Sequence, residues 1–161
     1  MKVLYFLFAF IVFVNTAFSQ MTVNTGGTPM DYALELVGPG ITISNVTFTG
    51  ANAQIGIFDG STSNVGFDGG VVISAGPVTG LIGGPGDQDA GQPGGSGLAD
   101  NDLLTVAQSV NPAINSTSDA AFLEFDFVPS SNVASFNFVF SSDEYLTYVN
   151  TVFNEIGRAH V

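Results

Sequence analysis

The chain has 161 residues, with fourteen Asp and Glu against two Lys and Arg, one His and no Cys, and a formal net charge of −12. From Gln20 to Glu155 all fourteen acids are present and Lys, Arg, His and Cys are all missing. For that segment nucleic acid and anionic lipid are excluded as partners, since both are held through Lys and Arg, and a Ser-His-Asp triad, a thiol nucleophile, a Schiff-base lysine and an imidazole or thiolate zinc site are excluded with them.

Met1 to Ser19 carries Lys2, an apolar run from Val3 to Val14 and the small residues Ala17 and Ser19, the order of a secretory signal peptide cleaved before Gln20. As a helix the twelve-residue apolar run covers about 18 Å, too little for a hydrocarbon core of roughly 30 Å. The body, residues 20–155, is predicted to be exported, and it has no disulfide with which to staple a small fold. Its Phe, Gly, Ser, Thr, Asn and β-branched residues favour many short strands.

Thr28-Pro29-Met30-Asp31 predicts a helix start, with Thr28 as cap, Pro29 in the first helical position and Asp31 at the positive end of the dipole. Gly38 and Pro39 end that helix. Ile41 and Ile43 alternate in one register and Val46 and Phe48 in another, which predicts a strand with a bulge near Ser44 and Asn45. A second strand spans Gln54 to Phe58 and runs into the turn signal Asp59-Gly60-Ser61. Gly70 to Ala75, with Val71-Val72-Ile73 at its centre, reads as a buried strand.

From Gly76 to Gly97 nine Gly and three Pro predict a long surface loop. Asp100 is placed to cap a short helix through Leu103, Leu104 and Ala107, which Pro112 cannot continue. Ala121, Leu123, Phe125 and Phe127 share one strand face, and Ala134, Phe136, Phe138 and Phe140 share a face of the next segment. A hairpin through Pro129-Ser130-Ser131-Asn132 is therefore expected. So many aromatics on one side call for a second layer, so the predicted fold is mainly β: a β-sandwich-like domain with one or two short helices and a long Gly/Pro/Asp-rich loop.

Ile156 to Val161 holds the only Arg and the only His after the leader. The six residues resemble one reading frame of a common sequencing-library adapter. They are expected to be a non-native tail, with the native residue at 155 open and the domain cut short at its C-terminus.

The run Asp119-Ala120-Ala121-Phe122-Leu123-Glu124-Phe125-Asp126-Phe127-Val128-Pro129 resembles the bacterial choice-of-anchor L domain. Ser135 to Tyr145, with Val149 and Phe153-Asn154, is similar to that family's Phe-rich strand, its Ser-acid-Glu-Tyr turn and its Phe-Asn segment. Gly40 to Gly50 and Gln54-Ile55-Gly56 are similar to its opening strands, so the resemblance covers Leu34 to Asn154. It implies a secreted or cell-surface protein, of the kind found in Bacteroidota-like bacteria, with a surface anchor or further domains in the C-terminal part. It implies no catalytic set.

Carboxylates are the only chemistry left to the body. Glu124 and Asp126 share the strand face opposite Leu123 and Phe125, with Cα atoms roughly 6.5 to 7 Å apart. This faintly resembles the Glu-x-Asp strand of laminarinase-like glycoside hydrolases. The third acid of that pattern is replaced by Val128 and Pro129, and a Trp platform for sugar is lacking. Asp87 and Asp89 in the Gly-rich loop, Asp100 and Asp102 beside it, and Asp143 and Glu144 before Tyr145 are candidate oxygen ligands for Ca²⁺, a cation plentiful outside cells. The plain alternative for each is a solvated charge or a turn acceptor.

The sequence thus predicts a secreted or cell-surface, non-catalytic module for adhesion or domain display. It requires no cofactor, although Ca²⁺ is a candidate structural ion. An extracellular glycan or a surface protein is the expected partner. A carboxylate-dependent polysaccharide hydrolase or binding domain and a purely structural spacer are the alternatives.

Overall fold

A computed structural model describes residues 21–83, 94–129 and 131–141. In chain order the elements are β1 (Thr22–Asn24), α1 (Pro29–Leu36), β2 (Thr42–Thr49), β3 (Ile55–Asp59), β4 (Gly69–Ile73), α2 (Asn101–Val110) and β5 (Phe122–Val128), with 3₁₀ turns at Asn52–Gln54 and Val78–Gly83. Among the described residues they form two antiparallel sheets, one in the order β1-β3-β4 and the other pairing β2 with β5. With two short helices beside them, this is the mainly β architecture predicted.

α1 begins where expected, for a local reason. The Asp31 N–H donates to Thr28 Oγ1 at 3.3 Å, and the Thr28 N–H and hydroxyl donate to Asp31 Oδ2 at 2.8 and 2.7 Å. This reciprocal capping box, with Pro29 at the first helical position, satisfies donors that the helix itself leaves open. The helix then buries Tyr32 and Ala33, and the Tyr32 hydroxyl donates to the Thr25 carbonyl at 3.0 Å. α1 touches β3 and β4 of one sheet and β2 and β5 of the other, so it bridges the two. Thr28→Ala is expected to cost about 1 kcal/mol in chemical denaturation.

The Thr28 hydroxyl, and then its N–H, hold the Asp31 carboxyl below its ordinary value of 3.8. Because the folded value is the lower one, this contribution to stability is complete above the ordinary Asp range and is lost as pH falls through the depressed folded value. Ser61 acts in the same way on Asp59, through its hydroxyl first and its N–H second. A carboxyl-carbon NMR titration should find both groups below the ordinary value, with Asp31 returning towards it in Thr28→Ala and Asp59 in Ser61→Ala. An unmoved midpoint in either variant would show that the named partner is not the cause.

The predicted bulge is present. Ser44 lies opposite Asp126 and Thr47 opposite Glu124, so Asn45 and Val46 together oppose a single residue. Asn45 takes the left-handed conformation at φ 52°, and its Nδ2 donates to Asp126 Oδ2 at 2.6 Å. The extra residue resets the alternation, so that Ile43, Val46 and Phe48 are all half-buried while Ser44 and Thr47 stay exposed. The Asp59 turn also forms, with Asp59 Oδ1 accepting from the Ser61 N–H at 2.9 Å and its hydroxyl at 2.6 Å.

Three expectations need correction. The Val71-Val72-Ile73 strand is not buried: among the described residues β4 is an edge strand, and Ile73 is 42 % exposed, whereas Ile55 on the central β3 is 1 % exposed. The stretch from Gly76 does not begin as open loop, since Val78 starts a 3₁₀ turn and is fully buried. The hairpin partner is not a strand either. β5 pairs with β2, and residues 134–140 form no strand, with Phe136, Phe138 and Phe140 at 55, 75 and 55 % exposure. Pro129 has no N–H to extend the ladder, and Ser131 Oγ donates back to the Val133 carbonyl at 2.9 Å. A row of Phe favours a strand only where another layer buries it. The strand β1 was not anticipated from the sequence.

Candidate functional site

The acidic candidates separate by what their oxygens already do. Asp100 is the helix cap foreseen for α2: its Oδ1 accepts from the Leu103 N–H at 2.6 Å. Its backbone is clamped as well, the N–H donating to Thr117 Oγ1 at 2.8 Å and the carbonyl accepting from that hydroxyl at 3.0 Å. Asp102 lies exposed in the first turn of α2, a position favoured by the helix dipole. Asp87, Asp89, Asp143 and Glu144 lie outside the described residues. Among the described residues no three His, Cys, Asp or Glu come together as a metal-holding group.

Glu124 and Asp126 occupy the exposed face of the β2–β5 sheet, as their spacing predicted. Their neighbours there are Thr47 and Ser44, directly opposite in the ladder, and Asn45, whose amide is bonded to Asp126. A glycosidase sets its two carboxyl groups on either side of a bound sugar, and this pair stands side by side on an open sheet. A cleft of about 290 Å³ lies elsewhere, where Gly26, Gly27, Tyr32, Phe48, Gly50 and Asn52 are among the lining residues. No acid lines it. Its volume is at the lower limit for small-molecule sites.

Among the described residues, a polar side chain with four hydrogen-bond partners is one that sequence reasoning missed. Gln54 is fully buried, and its Oε1 accepts from the Ala51 N–H at 2.8 Å. Its Nε2 donates to the carbonyls of Ser74, Ala75 and Asp119 at 3.1, 3.0 and 2.8 Å. Two amide hydrogens serve three acceptors, so one of these bonds is shared. The node ties the start of β3 to the end of β4 and to the residues leading into β5. Asp119, at φ 57°, adds its carboxylate, which accepts from the Gly97 N–H at 2.8 Å. Ser96 Oγ donates to the Ala120 carbonyl at 2.8 Å, stitching the same loop to β5. A Gln before a short apolar strand gives no local signal of such a role, because its acceptors are 20, 21 and 65 residues away in the chain.

Among the described residues no helix is long and apolar enough to cross a membrane. Asp31, Asp59, Asp100 and Asp119 are engaged in caps, turns and the loop beside the Gln54 node, and no buried side-chain nitrogen or oxygen among the described residues lacks a partner. The arrangement builds a scaffold with an acidic exterior. No curated protein and no solved structure matches the chain. The model of the choice-of-anchor L domain matches residues 28–157, most of the chain, and includes all seven elements except β1. Domains of this kind are cell-surface modules and are generally non-catalytic. The chain belongs to the choice-of-anchor L domain family.

Proposed function

We propose that this protein is a secreted, non-catalytic surface module that acts in adhesion or in the display of attached domains. The observation that carries the proposal is family membership over residues 28–157. Two further features support it: a body without bases, and, among the described residues, carboxylates such as Asp100 and Asp59 that serve a cap and a turn while no acid lines the cleft. An extracellular glycan or a surface protein suits such a module as partner, because a base-free acidic surface repels anionic polymers.

A structural Ca²⁺ belongs to the proposal as well. Its support is the surplus of carboxylates in an exported chain, including Asp102 with its exposed side chain. Thermal melts in millimolar Ca²⁺ and in chelator test it: a higher Tm with Ca²⁺ retains the ion, and coincident melts remove it. Activity on a glycan panel that is abolished by Glu124→Gln and Asp126→Asn would overturn the non-catalytic reading. Retention of cells or glycan beads by the immobilised protein, without turnover, is the expected result for adhesion; failure to retain either leaves display as the function.

A further inference from the structure

The cleft of about 290 Å³ draws its walls from both sheets, with Phe48 from β2 and Ile55 from β3. Thr25, Gly26 and Gly27, which follow β1, and Asn52 in the 3₁₀ turn before β3 line it as well. Its lining has no charged residue of either sign. A charged ligand would therefore enter without a counter-charge, and an anionic one against the repulsion of the acidic exterior. The polar groups of the cleft are unspent: among the described residues neither the Thr25 hydroxyl nor the Asn52 carboxamide takes part in a hydrogen bond, although the Thr25 carbonyl accepts from the Tyr32 hydroxyl. Gly26, Gly27 and Gly50 contribute main-chain atoms alone. A Cβ at Gly27 would lie 2.8 Å from Tyr32 Cε1, and one at Gly50, where φ is 148°, would lie 2.9 Å from Phe48 Cζ. Glycine is thus what lets both rings sit against bare backbone at the wall.

We propose that this cleft holds one neutral sugar ring, with Phe48 against its apolar face and Thr25 and Asn52 on its hydroxyls. Phe48 is half-buried, which leaves part of its ring open to a ligand. A wholly apolar ligand would displace water from the Thr25 and Asn52 side chains without replacing its hydrogen bonds. A neutral sugar meets both demands, because its C–H face packs on the negative face of an aromatic ring while its hydroxyls both donate and accept. The volume is at the small end for ligand sites and suits a single ring rather than a chain of them. This inference rests on the glycan partner of the proposed function and gives that partner a site.

An amide-resolved NMR titration of the full chain with methyl glucoside, methyl galactoside and methyl N-acetylglucosaminide tests it. At least one of the three is expected to shift the main-chain amides of Gly26, Gly27 and Gly50 and the side-chain amide of Asn52, with millimolar affinity. Thr25→Val combined with Asn52→Ala removes two groups that the described fold does not use, so it should weaken that binding about tenfold and leave the Tm unchanged. Glucuronic acid, with a similar ring and a carboxylate, should leave the same amides unmoved, and equal shifts would overturn the preference for a neutral ligand. Amides that no sugar moves would overturn the cleft as a sugar site. Retention of the parent and the double variant alike on neutral glycan beads would then keep the glycan partner and move it elsewhere on the surface, whereas absence of retention would remove that partner as well.

Discussion

Gln54→Leu is expected to lower stability by about 3–5 kcal/mol, because it removes four hydrogen bonds from a fully buried site while keeping a similar volume. The Ala51 N–H and three carbonyls would be left in the interior without the side chain that serves them, and each orphaned group costs about 1–3 kcal/mol. The upper part of the summed range is not reached, since the two amide hydrogens are already divided among three carbonyls. For a domain of this size the loss corresponds to a fall in Tm on the order of 10 °C. A urea titration of the purified protein measures it. A Leu variant within about 1 kcal/mol of the parent would mean that water replaces the amide and that the node is not what joins the sheets.

Gln54→Glu adds a pH signature. Its carboxylate would face three carbonyl oxygens in a dry site, so the folded state would hold the group protonated and raise its pKa above the unfolded value. The penalty is then present above the unfolded Glu range and is relieved as pH falls below it. The Glu variant should therefore lie further below the parent at about pH 7 than at about pH 4. An equal deficit at both would show that the carboxylate reaches solvent.

Gly60→Ala should open the turn between β3 and β4 at a cost of about 1–3 kcal/mol. A Cβ at this position would meet the Phe67 carbonyl oxygen inside van der Waals contact and would lie 2.9 Å from Val65 Cγ1. The residue cannot step aside, because its N–H donates to the Asp68 carbonyl at 3.0 Å and its carbonyl accepts from the Ser63 N–H and hydroxyl, both at 2.8 Å. Gly38→Ala is the matched control, since nothing lies within 4 Å of a Cβ there. It should stay within about 0.5 kcal/mol of the parent. If the two variants melt alike, the close approach at Gly60 does not constrain the turn.

The features that were legible in advance share one property: their partners are close in sequence. Thr28 and Asp31 are three residues apart, as are Asp100 and Leu103, and Asp59 reaches Ser61. Such bonds form from the local chain alone, so a cap or turn can be read without knowing the fold. The bulge at Asn45 was visible because it shifts an alternation within one strand. The motif resemblance that pointed to the family was likewise continuous sequence.

For the candidate site, the same rule separates what could be read from what could not. Asp100 as a cap followed from spacing, whereas the grouping of acids into a metal site depends on loops converging in space, and sequence cannot supply that. The choice between the neighbouring Phe segment and β2 as partner of β5 was also non-local. Both segments alternate, and pairing with β2 wins where α1 lies against it and supplies the covering layer that residues 134–140 do not find. By itself, then, the sequence determined the helix starts, the bulge, the turn, the strand-rich class and an exterior without a single base in the body. The tertiary structure alone decided which of the described strands pair, that Ile73 on β4 stays exposed, and that Gln54 holds three distant segments together, because those outcomes rest on burial and hydrogen bonds between residues that only folding brings within reach.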